Sequence, residues 1–202
     1  PTMARETARF QGGSTDALNL RLLLRSLEIV FLLVALLGGA GLMLSADFVA
    51  GHWLKVEHLQ RSEVANAIRL MALVMMLRWM VELYRGVITG FERMVWLGTF
   101  SCGIATARFV LVIPLFIWIG SGVGEFFLFQ LCVSALEALI LTRKAYALLP
   151  AVPPGALRWS WTPLRNVMEF SLLMAIASLV WVIVSQTDKL LLSGLLSLAD
   201  YG

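Results

Sequence analysis

Long stretches without a charged side chain dominate this sequence and restrict it to one environment. Residues 29–46 and 170–187 each contain no Asp, Glu, Lys or Arg. About 20 consecutive apolar residues form a helix long enough to cross the ~30 Å hydrocarbon core of a bilayer. Only 14% of the residues are charged and 59% are apolar, whereas a soluble domain carries about 25% charged residues. The sequence therefore predicts an all-α integral membrane protein.

Five membrane-spanning helices are predicted from the apolar runs and their flanks. They cover 29–46, 67–90, 97–119, 126–142 and 163–198. Pro114 lies inside the third run and is expected to kink that helix, because its ring clashes with the preceding turn. The fifth run would measure about 50 Å as one helix. It is therefore expected to tilt, to bend, or to begin as an amphipathic segment along the membrane surface.

Basic residues collect on one side of the predicted helices. One side has ten of them: Arg5, Arg9, Arg21, Arg25, Arg85, Arg93, Arg143, Lys144, Arg158 and Arg165. The other side has only Lys55 and Arg61 between the first two helices. Short cytoplasmic loops carry the excess of Lys and Arg. We therefore expect residue 1 in the cytoplasm and residue 202 on the outside.

The second predicted helix carries Arg78, Glu82 and Arg85 on one face, since spacings of four and seven residues bring side chains together. The three charges leave a positive surplus. We expect Arg78 to face a water-filled interior that suits an anionic ligand, because arginine matches the oxygens of phosphate. Arg85 is expected to reach the cytoplasmic headgroups. The alternative for all three is a self-neutralising stripe near a helix end.

Single charges occur in or near the other helices. Arg108 lies well inside the third predicted helix and is a second candidate for lining a cavity. Glu137 is expected to form a structural ion pair near the interface. Glu28 and Glu169 lie near predicted cytoplasmic ends and are expected to be hydrated. Each of these charges could pair across helices, because an unpaired charge in hydrocarbon is costly.

The fifth predicted helix contains Asp188 and Lys189 between two uncharged stretches. Adjacent residues point about 100° apart on a helix, so the two side chains are badly placed to pair with each other. We expect one to face a polar cavity and the other to bond a neighbouring helix. Gln186 shares the face of Lys189. The alternative is an interfacial pair where the helix leaves the membrane.

Residues that would indicate an enzyme or a metal site are missing from the sequence. There is no Gly-rich phosphate loop, no nucleophile elbow, and no His, Cys and carboxylate cluster with metal spacing. Cys102 and Cys132 lie in apolar runs and are expected to be free thiols. We therefore expect a protein that is not an enzyme and that needs no cofactor or metal.

Four segments together resemble the polysaccharide flippases of the multidrug/oligosaccharidyl-lipid/polysaccharide exporter superfamily. The segment SQTDKLLLSGLLSLADYG (185–202) is similar to that family's seventh-helix signature, and PLRNVMEFSLLMAIASLVW (163–181) to the start of the same helix. PTMARETAR (1–9) resembles the loop after its second helix. RGVITGFERMVWLG (85–98) resembles the turn between its helices four and five.

The resemblance implies a two-lobed exporter of twelve or more helices, of which this chain is an internal piece. Residues 1–147 would form most of the first lobe, 148–162 a proline-containing linker, and 163–202 the first helix of the second lobe. The sequence begins at Pro1 and stops just past an apolar run, which fits the expectation of a fragment.

The same resemblance implies a function. Such proteins flip an undecaprenyl-diphosphate-linked polysaccharide unit, such as an O-antigen, across the bacterial inner membrane by alternating access. By analogy, Arg78, Arg108 and Lys189 would line a cationic cavity. Asp188, together with Glu82 and Gln186, would be a lumen or ion-coupling residue. The implied partners are the lipid-linked oligosaccharide and the bilayer, with a polysaccharide polymerase and chain-length proteins as further candidates.

Other functions are open on the sequence alone. A drug or cation antiporter of the same superfamily would need a net acidic cavity, and the intramembrane arginines argue against one. A membrane glycosyltransferase or polymerase would need a large extramembrane loop, which the sequence does not contain. A purely structural scaffold would have little use for charges within its apolar helices.

Overall fold

The fold is helical throughout residues 2–50, 61–118, 122–152 and 162–195, the part of the chain described by the computed structural model. No strand occurs in these ranges. The helices are α1 (Thr2–Gln11), α2 (Ala17–Phe48), α3 (Arg61–Gly90), α4 (Met94–Val110), α5 (Val112–Trp118), α6 (Val123–Leu148) and α7 (Thr162–Leu195). The predicted all-α class is therefore confirmed.

Four segments are long and apolar enough to cross a membrane. They are Ala17–Phe48, Ser62–Gly90, Met94–Pro114 and Val123–Leu148. Within α7, the apolar segment Ser171–Thr187 is shorter. Large apolar side chains point outward from these helices, and Leu44 on α2 is 84% exposed. This is the surface of a multi-pass membrane protein, whose lipid-facing side chains need no protein partner.

Each of the five predicted helices begins before its predicted run, and α2 and α6 also end after theirs. α2 starts at Ala17 rather than at residue 29, and its first turns carry Arg21, Arg25 and Glu28. Hydropathy detects only the part of a helix that lies in hydrocarbon. The helix itself, held by backbone hydrogen bonds, continues into the headgroup region. α1 was not predicted, because its sequence TMARETARFQ has no apolar run.

The helix that contains Pro114 is interrupted, as predicted, although three residues earlier. α4 ends at Val110, Leu111 is a turn, and α5 begins at Val112. Pro114 has no N–H to donate to the carbonyl of Val110, and its ring crowds that carbonyl. The proline therefore sets the position of the break, which appears one turn before it.

α3 is the central helix and contacts α1, α2, α4 and α6. Small residues at its C-terminal end allow α1 to pack closely against it. A Cβ atom added at Gly90 would lie 2.5 Å from Thr7 Cβ and 2.6 Å from the Ala4 carbonyl oxygen. The polar helix α1 is therefore packed against the C-terminal end of α3, with Met3 and Thr7 buried.

The main hydrophobic core lies at the predicted cytoplasmic end of the helices. It joins Met3 of α1 to the first turns of α2 and the last turns of α3 and α6, with Leu20, Ile88 and Leu141 fully buried. A smaller cluster around Ala46 and Ala65 closes the opposite end of α2 and α3. The packing thus fixes both ends of the α2–α3 pair.

α7 touches α1 and α2 and leaves most of its apolar side chains exposed. Thr2 and Ser171 share a hydrogen bond of 2.9 Å between their hydroxyl oxygens, while Leu172 and Trp181 are more than half exposed. The predicted linker 148–162 lies largely outside the described residues, as do the last seven residues of the predicted segment 163–202. The boundary between lobes remains a prediction.

Candidate functional site

Glu137 is the centre of an ion-pair cluster within the helices. Its side chain is 6% exposed, its Oε1 accepts a hydrogen bond from Arg85 Nη2 at 2.5 Å, and its Oε2 accepts one from Arg108 Nη2 at 3.0 Å. Each carboxylate oxygen thus binds a different guanidinium. Charge-assisted bonds of this kind are roughly twice as strong as neutral ones.

Three helices bring these side chains together. Arg85 lies on α3, Arg108 on α4 and Glu137 on α6. Glu137 is followed by eleven residues of α6, which places it about 16 Å from the end of that helix. The last six of these residues lie beyond the predicted apolar run 126–142, so Glu137 lies about 7 Å inside the predicted hydrocarbon region, where an unpaired charge is expensive.

Two serine hydroxyls extend the cluster. Arg85 Nη1 donates to Ser101 Oγ at 3.0 Å, and Arg108 Nη2 also approaches Ser134 Oγ at 3.3 Å. Ser134 is buried and lies three residues before Glu137 on α6. A spacing of three residues puts both side chains on one helix face. α6 therefore presents a carboxylate and a hydroxyl toward the arginines.

The arginines retain unused donors. The Nε atoms of Arg85 and Arg108 are both buried and have no hydrogen-bond acceptor. The nearest carboxylate to Arg85 Nε, apart from Glu137, is Glu82 Oε1 at 3.7 Å, beyond hydrogen-bond distance. Buried donors on a cation are normally satisfied. The cluster thus has capacity for a further acceptor.

The local charge balance is positive. Arg78 is exposed on α3 and lies within electrostatic range of Arg108. Glu82 is also on α3, with its side chain 71% exposed. Three arginines against two glutamates leave a surplus of one positive charge. The surplus expected from the sequence is present, but it is distributed over α3 and α4 rather than along α3 alone.

The remaining predicted site residues belong to α7. Gln186 lies on this helix and is exposed. Asp188 and Lys189 fall within α7, but their side chains lie outside what the structure describes. Their assignment to a cavity wall therefore stays a prediction from the sequence.

Arg85 was expected to reach the headgroups, and that expectation was wrong. Its side chain is 26% exposed and turns toward Glu137 instead. The prediction that Glu137 forms a structural ion pair is confirmed. Its partners come from α3 and α4, so spacing along α6 could not reveal them.

A second polar cluster was missed entirely. Glu28, expected to be hydrated, accepts hydrogen bonds from two tyrosines. Tyr84 Oη donates to its Oε1 at 3.0 Å, and Tyr146 Oη lies 2.7 and 2.9 Å from its two oxygens. The two rings also contact each other, with centroids 6.5 Å apart. The only signal in the sequence was the presence of two tyrosines near helix ends.

The cysteines have the predicted state, since Cys102 and Cys132 are free and exposed on α4 and α6. Among the residues that the structure covers, no three His, Cys, Asp or Glu side chains converge as a metal site would require. The candidate site in the described residues is a cluster of paired charges.

Comparison of the chain with family models, curated proteins and solved structures gives no match.

Proposed function

We propose that this chain belongs to a transporter that flips an undecaprenyl-diphosphate-linked polysaccharide unit across the bacterial inner membrane by alternating access. The observation that carries the proposal is the positive surplus within membrane-spanning helices, formed by Arg78, Arg85 and Arg108. The four sequence segments that resemble polysaccharide flippases support the choice of substrate. In this proposal residue 1 is cytoplasmic and residue 202 is outside.

The diphosphate is the part of the substrate that the arginines would recognise. It is anionic and rich in acceptor oxygens, which guanidinium groups match in a bidentate way. Arg78 is exposed and would make the first contact. Arg108 has a buried Nε without an acceptor and would make the second. Both residues lie in the region where hydrocarbon strengthens electrostatic attraction.

Glu137 would keep the cluster folded in the absence of substrate. Without it, neither Arg85 nor Arg108 would have a buried counter-ion, and Arg85 would keep only the exposed Glu82 nearby. Its carboxylate neutralises part of their charge and leaves the surplus for the ligand. Lys189 and Asp188, carried on α7, would complete the cavity from the second lobe, with Gln186 and Glu82 as polar lining.

The proposal is tested by substitution in the full-length protein, with display of surface glycan as the readout. Arg78→Ala, Arg108→Ala and Lys189→Ala are each expected to abolish display and to cause the lipid-linked unit to accumulate. The protein level in the membrane must be measured for each variant, because Arg108 also holds Glu137.

A matched control comes from the same helix. Arg69 lies on α3, is exposed, and pairs with the exposed Asp47 at 2.9 Å, so its contribution to stability is about 0–1 kcal/mol. Arg69→Ala should leave glycan display unchanged. Normal display in all three test variants would refute the assignment of the cavity.

A further inference from the structure

A small cavity lies at the predicted cytoplasmic end of α2, away from the Glu137 cluster. It has a volume of about 120 Å³ and is lined by Arg21, Leu24, Arg25, Tyr146 and Leu149. A water molecule takes up about 30 Å³ of liquid. The cavity therefore has room for a group the size of one phosphate, but not for a whole lipid.

Arg21 supplies hydrogen-bond donors that the protein leaves unused. Its Nη2 makes a long contact of 3.5 Å with the Leu149 carbonyl oxygen. Its Nε is buried and has no acceptor among the residues that the structure describes. This contact holds the guanidinium at the cavity, while a buried donor on a cation is rarely left without a partner. An acceptor from outside the chain would satisfy it.

Arg25 adds a second positive charge on the same helix face, since it follows Arg21 by four residues. It is exposed and forms no hydrogen bond or ion pair with any residue in the described ranges. The nearest carboxylate along α2 belongs to Glu28, which is occupied by the hydroxyls of Tyr84 and Tyr146. Because the cavity has two arginines and the one nearby carboxylate is already hydrogen-bonded to the tyrosines, the cavity is cationic.

Arg25 lies at the depth of the headgroup layer, and Arg21 lies just outside that layer on its aqueous side. The uncharged stretch of α2 begins at residue 29, so Arg25 lies about 6 Å and Arg21 about 12 Å before it along the helix axis. The polar layer of a bilayer adds roughly 5–7 Å on each side of the hydrocarbon. Leu24 provides an apolar wall of the cavity.

We propose that this cavity binds the phosphodiester group of an anionic phospholipid from the cytoplasmic leaflet. Basic pockets between membrane helices on the cytoplasmic side are typical sites for anionic headgroups. Arg21 would bind the phosphate oxygens with its Nε and a terminal nitrogen, and Arg25 would add electrostatic attraction to the single negative charge of the phosphodiester. The bound lipid would tie α2 to the end of α6 through Arg21 and Leu149. This inference does not depend on the substrate that the protein transports.

The test compares lipids and variants of the full-length protein. Binding of phosphatidylglycerol and of phosphatidylcholine is measured on protein in vesicles of defined composition. The variant Arg21→Gln/Arg25→Gln is compared with Arg93→Gln/Arg165→Gln. The control removes two exposed arginines at predicted cytoplasmic helix ends and so causes the same loss of charge.

Wild type and control should prefer phosphatidylglycerol, and the test variant should bind it about 30-fold more weakly than the control, because it alone loses the charged hydrogen bonds to the phosphate. Equal weakening in both variants would show attraction by overall charge and would overturn the proposal. Inorganic phosphate that competes with phosphatidylglycerol at equal concentration would instead indicate a free-phosphate site. If the double variant does not fold, Arg25→Gln alone should weaken binding about fivefold, and no change would refute the site.

Discussion

Glu137 accepts a hydrogen bond from Arg108 at 3.0 Å and thereby joins α6 to α4. This bond adds to the contacts that α4 makes through Ser101 and through Trp96, Leu97 and Phe100, which pack against the main core. Within α4, which the structure describes completely, only Ile104 is buried. Apolar packing against lipid does not hold two helices together, so polar contacts and close packing must do so. The charge cluster is therefore structural as well as a candidate for binding.

Removing the charge of Glu137 should destabilise the protein strongly. Glu137→Gln leaves Arg85 and Arg108 without a buried counter-ion, and breaking a buried ion pair in this way costs about 3–5 kcal/mol. Thermal unfolding in detergent measures the loss. Glu125→Gln is the matched control, because Glu125 is exposed on the same helix, and it should change stability little. Equal stability of both variants would contradict the structural role of the cluster.

The coupling between Arg108 and Glu137 can be measured by a double-mutant cycle. Arg108→Ala should cost less than Glu137→Ala. In Arg108→Ala, Glu137 keeps its bond to Arg85, whereas Glu137→Ala leaves both arginines without their buried counter-ion. The double variant should be more stable than the sum of the single losses predicts, by roughly 1–3 kcal/mol. Strict additivity of the unfolding free energies would mean that the bond contributes nothing.

The apolar helices could be predicted from the sequence because hydropathy depends on each segment separately. The charge cluster could not, because its members come from three helices and only packing brings them together. Arg85 illustrates this limit. Its position near the end of α3 predicts a side chain in the headgroups, yet the approach of α6 offers Glu137 as a closer partner.

The same reasoning applies to α1 and to Glu28. α1 is polar and lacks a hydrophobic run, so nothing local marks it as a packed element. Its place is set by Gly90 on α3, a residue distant in sequence. Glu28 follows charged residues at a helix end, which predicts hydration. The tyrosines that bind it lie 56 and 118 residues away.

The contact between α1 and α3 predicts different effects on stability when Gly90 and Gly98 are each replaced by alanine. Gly90→Ala would place a methyl group 2.6 Å from the Ala4 carbonyl oxygen. α1 must then shift, at a cost of about 1–3 kcal/mol. Gly98→Ala on α4 meets nothing within 4 Å and should be neutral or stabilising by up to about 1 kcal/mol.

Hydrogen exchange on the amides of α1 reports this directly. Faster exchange is expected in Gly90→Ala, and exchange at the wild-type rate in Gly98→Ala. Unchanged exchange in both variants would show that α1 does not depend on the close approach at Gly90.

The two tyrosines that bind Glu28 should differ in their contribution to stability. Tyr84 is 7% exposed and Tyr146 is 41% exposed, although Tyr146 makes the shorter hydrogen bond to the carboxylate. Water can replace the hydroxyl of an exposed tyrosine, whereas it cannot reach the position of the buried Tyr84 hydroxyl, so that Glu28 Oε1 then keeps only its bond from Tyr146. Tyr84→Phe should therefore cost about 1.5–3 kcal/mol and Tyr146→Phe less than about 1 kcal/mol in thermal unfolding.

Glu28→Gln, which keeps an acceptor oxygen but no charge, should reduce the effect of Tyr84→Phe when the two are combined. A larger loss for Tyr146→Phe than for Tyr84→Phe would mean that bond length, rather than exclusion of water, determines the strength of this cluster.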